Sequence, residues 1–167
     1  MPARNPKEVF LMLLSDARNN TERTAKVYEE VSQAAQNPDV KEALEARAFV
    51  TKKNLETLDK CFEMIGEKPV QLSGRLHDVF VEDFKKVLAE IQSPPARHLY
   101  ILAKASHLAH LRFAEYAMLI AAADATGHYG VGVLLESVLA DRLAFLEHSR
   151  RLVRHIIEGK IAERLAA

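Results

Sequence analysis

Hydrophobic residues recur at alternating spacings of three and four over long stretches of this chain, the signature of helices with one buried face. Phe10, Leu14, Ala17, Thr21, Thr24, Tyr28, Val31 and Ala35 form the first stripe and predict a helix over residues 6–36. Pro6 suits its first turn, where a missing amide hydrogen costs nothing. Asn37-Pro38-Asp39 breaks the pattern, and Asp39 is the expected cap of the next helix. The second stripe is Val40, Leu44, Ala48 (or Arg47), Thr51, Leu55, Leu58, Phe62 and Ile65. It predicts a helix over residues 39–65, with Gly66 as its stop. Two long helices on a short link should form an antiparallel hairpin.

Residues 67–96 read differently, opening on Glu-Lys-Pro and closing on Ser-Pro-Pro. Between them Leu76, Val79, Phe80, Phe84, Val87, Leu88 and Ile91 mark a shorter amphipathic helix carried by a crossover. A third long helix is expected over residues 97–126, on the stripe Leu99, Leu102, Ser106, Ala109, Phe113, Tyr116 and Ile120. Leu108, Leu111, Met118 and Leu119 widen its apolar face, which marks a helix buried in the core or against a partner. After the turn Gly127-His128-Tyr129-Gly130, the fourth is expected over residues 131–159, presenting Leu134, Val138, Asp141, Phe145, His148, Leu152 and Ile156. Two helical hairpins joined by one long crossover make an all-α, ferritin-like four-helix bundle, and the whole chain, residues 1–167, is expected to be one such domain.

Composition narrows the function rather than naming it. Lys plus Arg equals Asp plus Glu at 23 each, so the basic excess usual in nucleic-acid binders is missing and no nucleic-acid partner is expected. The most apolar stretch, residues 108–123, is interrupted by His110, Arg112 and Glu115 and is not a membrane span. The opening residues carry no signal-peptide pattern, so a soluble cytoplasmic protein is expected, without a membrane partner. The lone Cys61 has no disulfide partner and reads as a buried helix residue.

Three segments carry a family resemblance. The opening Pro6-Lys7-Glu8-Val9-Phe10-Leu11-Met12-Leu13-Leu14-Ser15-Asp16 resembles the start of the YciE/YciF family of bacterial ferritin-like proteins. Leu111-Arg112-Phe113-Ala114-Glu115-Tyr116 and Leu134-Leu135-Glu136-Ser137-Val138-Leu139-Ala140-Asp141 resemble its third- and fourth-helix segments, in the same order and spacing. The resemblance implies a stress-linked protein whose bundle interior carries metal-binding carboxylates. This chain departs from that pattern. The family's ligand positions fall on Thr21, Val50, Ala109 and Arg112, its helix-two His falls on Arg47, and only Asp141 survives of the fourth-helix acidic run.

A pair of divalent ions needs several anionic oxygens, which Thr21, Val50 and Ala109 do not supply, and Arg112 would repel a cation. No Glu-x-x-His occurs in the chain. The expectation is therefore a non-catalytic protein with no metal and no cofactor. The side chains that would serve if a metal were bound are His107 and His110, one turn apart, with Asp141 and His148, two turns apart. Asp141 is otherwise expected to pair with Arg112 or Arg142, because a buried carboxylate needs a partner. Glu22 and the cluster Arg150, Arg151, Arg154 and His155 read as solvated helix faces. The broad apolar face of the third long helix and the helical crossover exceed what one small bundle readily covers, and together they predict a two-fold homodimer.

Overall fold

The computed structural model describes residues 4–35 and 37–166, and for residues 34, 156, 157 and 160–166 the backbone alone. The expected helix end at Gln36 and the Ile156 side chain therefore lie outside the described residues. Among the described residues the chain is all-α. Its helices are α1 (Pro6–Ala34), α2 (Pro38–Ile65), α3 (Arg75–Glu90), α4 (Pro94–Ala125) and α5 (Tyr129–Ala166).

Helix ends follow local chemistry closely. Asn5 caps α1: its Oδ1 accepts from the Glu8 amide at 3.0 Å while its Nδ2 donates to Glu8 Oε1 at 3.0 Å. The cap of α2 is Asn37, whose Oδ1 accepts from the Val40 amide at 3.1 Å, rather than Asp39. Pro38 takes the first helical position there, so the helix begins sooner than expected. The same effect starts α4 at Pro94, because a proline in the first turn has no needed amide hydrogen to lose. Gly66 ends α2 in the left-handed conformation at φ 68°, with the Glu67 amide returning to Phe62 O at 3.2 Å. Gly159, expected near the end of the last helix, lies inside α5. A single helix-interior glycine costs about 1 kcal/mol relative to alanine, too little to stop a long helix.

The long helices form two antiparallel pairs. Arg18 of α1 meets Asp59 of α2 at 2.5 Å, and Lys52 of α2 meets Glu29 of α1, so the two run in opposite directions. In α4 and α5, residues 101–109 pack in one core cluster with 145–152, and 116–123 pack in the other with 131–138. The pairs join through α2 on α5 and α1 on α4. The crossover runs the length of the bundle beside α1, with Arg23–Asp78 at 2.6 Å and Lys85–Glu30 at 2.5 Å. Its α3 lies antiparallel to α4: Phe84 stacks on Tyr100 at 5.7 Å, and Phe80 meets His107 edge-on at 5.6 Å.

The buried interior divides into two apolar clusters. One gathers Tyr28, Val40, Leu44, Phe84, Ile101 and Leu102 at the end where α2 and α4 begin. The other gathers Phe10, Leu14, Leu58, Phe62, Leu119 and Leu135 at the opposite end. Cys61 is buried in the second, and burial pushes its thiol up to about 11, so it is an inert core residue.

Candidate functional site: a polar waist

Between the two apolar clusters each long helix carries its stripe through polar residues. On α1 these are Asn20, Thr21 and Thr24, and on α2 they are Arg47, Thr51 and Asn54. Arg112 comes from α4, Arg142 from α5 and His77 from α3. All are buried. They lie at three- and four-residue steps from apolar neighbours such as Ala17, Leu58, Tyr116 and Phe145, so helix periodicity itself aims them inward.

Three guanidiniums dominate this layer. Arg142, 1% exposed, lies over the Tyr116 ring with its central carbon 4.5 Å from the centroid. Its Nη2 donates to Thr21 Oγ1 at 3.4 Å, and that oxygen also shares a hydrogen bond with the Tyr116 hydroxyl at 3.2 Å. Arg47 lies between Phe145, at 4.8 Å, and Tyr28, at 5.8 Å. None of its three nitrogens has a protein hydrogen-bond partner. Burial lowers its pKa, the Tyr28 hydroxyl opposing without hydrogen-bond geometry, and the positive Arg142 lowers it further. Aromatic faces thus supply part of what water would have given these cations.

Arg112 is the member with a counter-ion. Its Nη1 donates to Glu115 Oε2 at 2.7 Å, one turn along α4. Burial raises the Glu115 pKa above its ordinary value, and Arg112 opposes the rise. Arg112 Nη2 also approaches His77 Nδ1 at 3.5 Å. A guanidinium can only donate, so Nδ1 is the acceptor and the imidazole proton sits on Nε2. Burial and then Arg112 push the His77 pKa down to about 4, so this histidine is neutral at physiological pH.

The sequence-predicted residues scatter relative to this layer. Thr21 and Arg112 are inside it, Ala109 is buried in the first apolar cluster, and Val50 is half-buried while Thr51 takes the interior position. Asp141 is exposed, and so are His107, His110 and His148. Asp141 therefore does not face the core, and Arg112 pairs with Glu115 in its place. The reason is a degeneracy of helical spacing. From Val138 to Phe145 the steps three-then-four place Asp141 inside, and four-then-three place Arg142 inside. The structure takes the second, because a guanidinium can lie over Tyr116 and reach Thr21. Ser149 displaces His148 in the same way. On α4 the buried set is likewise one residue off in places, with His98, Ala105, Arg112 and Leu119 inside rather than Leu99, Ser106, Phe113 and Ile120.

His107 and His110 do not converge: the first meets Phe80 and the second returns its Nδ1 to Ser106 O at 2.8 Å. Glu22 pairs with Arg18 at 3.3 Å on a partly exposed face. Arg150, Arg151, Arg154 and His155 are exposed. Asn20, Asn54 (where Leu55 was expected), His77, Glu115 and Arg142 are the waist residues that the stripes do not include, and the alternative four-then-three spacing on α5 was the available signal for Arg142.

As a metal centre this donor set does not fit. Two divalent ions would meet three guanidiniums and one carboxylate already held by Arg112, and among the described residues no group of three or more His, Cys, Asp or Glu side chains is placed to hold a metal. Among the described residues no helix is long and apolar enough to cross a membrane.

The family described as "Domain of unknown function (DUF892)" matches residues 5–163. A search of curated proteins finds no match. Among solved structures, the chain is similar to the Escherichia coli stress protein YciF, with 20% identity, a TM-score of 0.89, and 93% of this chain and 99% of that chain covered. YcfI from Rhodopseudomonas palustris shares 24% identity over 88% of this chain and 94% of that one, with a TM-score of 0.84. A Xanthomonas campestris protein shares 17% identity over 93% and 99%, with a TM-score of 0.70. The YciE/YciF resemblance read from the three segments is borne out.

Proposed function

We propose that this chain, which belongs to the DUF892 family, is a metal-free, non-catalytic ferritin-like bundle that serves as a stress-linked interaction protein in the cytoplasm. One observation carries the reading. Arg47, Arg112 and Arg142 are buried in the bundle interior, where the family resemblance would lead one to expect metal-binding carboxylates. Two nearby divalent charges would be repelled by three fixed positive ones, so the waist is built as a cationic layer rather than a weakened metal site. The stress role rests on the likeness to YciF, described as a stress protein.

The test is metal content together with ferroxidase activity. Protein purified without chelator should carry well under one equivalent of iron or manganese per chain. Ferrous iron added in air should oxidise at the protein-free rate. Two retained metal ions per chain, lost on chelation, would overturn the reading and favour a metal-binding bundle with unusual ligands.

The same proposal includes a homodimer. Met118 on α4 and Tyr129 and Val133 on α5 are 67%, 68% and 65% exposed, an apolar surface that a partner copy would cover. Sedimentation velocity should give a species of twice the chain mass at micromolar concentration, and a monomer there would remove the dimer from the proposal.

A further inference from the structure

Helix α3 is lightly anchored. Of its 16 residues only His77, Phe84 and Leu88 are buried, against ten of the 28 residues of α2. Arg23–Asp78 and Lys85–Glu30 tie it to α1, and Lys104–Asp83 ties it to α4. Every carboxylate in these pairs is more than half exposed, so solvent screens them and they hold little.

The two ends of α3 are fixed differently. The C-terminal end is clamped: Arg97 of α4 donates through Nη1 to Leu88 O at 2.9 Å and to Ile91 O at 3.1 Å. Only Ile91, Gln92 and Ser93 separate α3 from α4. The N-terminal end follows the irregular link 66–74, and its one buried side chain is His77.

That anchor tolerates no charge. Around His77 stand Arg112 and Glu115 of α4, Asp16 and Arg23 of α1, and Arg75 and Asp78 of α3 itself. Glu115 is already paired with Arg112, and Asp78 with Arg23. His77 Nδ1 accepts from Arg112 Nη2 at 3.5 Å. A proton on Nδ1 removes that acceptor and sets two N–H donors and two positive charges face to face in the interior. Nε2 is sealed from solvent and has no hydrogen-bond partner among the described residues, so the new charge finds no acceptor on that side either. A charged His77 is relieved by reaching water, and its backbone belongs to α3.

We propose that α3 is an acid-operated lid: protonation of His77 lifts the N-terminal part of the helix about its clamped end at Ile91–Ser93 and bares an apolar slot. In the closed lid Phe80 and Phe84 of α3 line that slot with Val27 and Val31 of α1 and Ile101 and Leu108 of α4. The device depends neither on the metal content of the waist nor on a dimer. Burial and Arg112 hold the closed-state His77 at about 4, against 6.5 once it is lifted into water. Protons therefore favour the open lid, and opening should rise roughly twentyfold between pH 7 and pH 5.

The test is native-state amide hydrogen exchange on the full chain at both pH values, corrected for intrinsic rates and repeated in low urea. Amides of residues 79–87 should exchange faster than those of residues 54–62 in α2. Low urea should barely change their opening, because a lifting helix exposes little surface compared with global unfolding. Their opening should rise roughly twentyfold from pH 7 to pH 5 in the native chain and less than about threefold in His77→Gln, which stays neutral. Phe84→Ala removes a buried anchor without touching His77, so it should speed exchange of residues 79–87 at both pH values and keep the roughly twentyfold ratio. Exchange of residues 79–87 with the rate and urea dependence of α2 would overturn the proposal, since the lid would then open only with the whole fold. A pH ratio unchanged in His77→Gln, or lost in Phe84→Ala, would overturn it as well.

Discussion

The two apolar ends of the bundle and the waist between them solve the same packing problem in opposite ways. Leu14, Leu58, Leu119 and Leu135, at the end built around Phe10, are fully buried within an apolar cluster. Each such side chain contributes about 1.5–3 kcal/mol by leaving water, with no polar group to desolvate. In the waist the same helices bury Arg47, Arg112 and Arg142, with desolvation costs of several kcal/mol per ion that ring faces and one carboxylate only partly offset. The ends hold the helices together, and the waist spends part of that stability on keeping positive charge in the interior.

The largest expected effects separate the two regions by mechanism. Phe10→Ala, in a residue 1% exposed, should cost about 3–5 kcal/mol through lost burial and the cavity left behind. Glu115→Ala should cost a comparable 3–5 kcal/mol for a different reason, because it strands the Arg112 guanidinium in the interior. Urea denaturation distinguishes them when a second change is added. Arg112→Met should recover much of the Glu115→Ala loss, whereas no polar substitution should rescue Phe10→Ala.

The waist should contribute its own pH dependence to stability. The His77 pKa falls from 6.5 unfolded to about 4 folded, first through burial and then through Arg112. Its contribution is therefore complete above the unfolded value and is lost as pH falls from about 6.5 toward about 4, a span worth roughly 3 kcal/mol. Glu115 acts in the opposite sense. Its raised pKa means that its contribution is present in acid and lost as pH rises through the folded value. Denaturation midpoints between pH 7.5 and 5.5 should fall in the native chain and fall less steeply in His77→Leu after allowance for its lower baseline. An unchanged slope in His77→Leu would move the titrating group elsewhere.

Arg47→Met sharpens the contrast further. Methionine has similar length, packs well against aromatic rings and needs no hydrogen bonds, so it should stabilise the fold by about 1–4 kcal/mol. A matched loss instead would mean that Arg47 is satisfied in solution by a bound group, and the waist would then be a binding layer.

These residues also mark where sequence reading succeeded and where it failed. The helices and the crossover were legible because a stripe of three- and four-residue steps over many turns averages out single-position ambiguity. The helix-ending Gly66 was legible because its left-handed conformation belongs almost to glycine alone. Phase within a helix was less legible. Val138 and Phe145 are compatible with either Asp141 or Arg142 between them, and an aliphatic scale gives no reason to prefer an arginine in a core. What decides is the facing Tyr116 and Thr21, both distant in sequence. His77 was hidden for the same reason, since its burial depends on α3 lying against the Arg112 side of α4.

The smallest expected effect is at Asp141. Its side chain is exposed, so Asp141→Ala should change stability by no more than about 0.5 kcal/mol. The informative measurement is the coupling between positions. Arg112→Ala and Asp141→Ala should add within about 0.5 kcal/mol, because Arg112 is held by Glu115 and shares no hydrogen bond with Asp141. Arg112→Ala and Glu115→Ala should be strongly non-additive, each single change stranding the other partner and the double change stranding neither. A urea-denaturation cycle over the three positions reads both couplings at once. If Arg112 and Asp141 coupled by more than about 1 kcal/mol, α5 would have to be rotated so that Asp141 rather than Arg142 faces inward. The waist would then regain a carboxylate and lose a guanidinium, leaving Arg47 and Arg112 against Asp141 and Glu115, and its excess of positive charge would disappear.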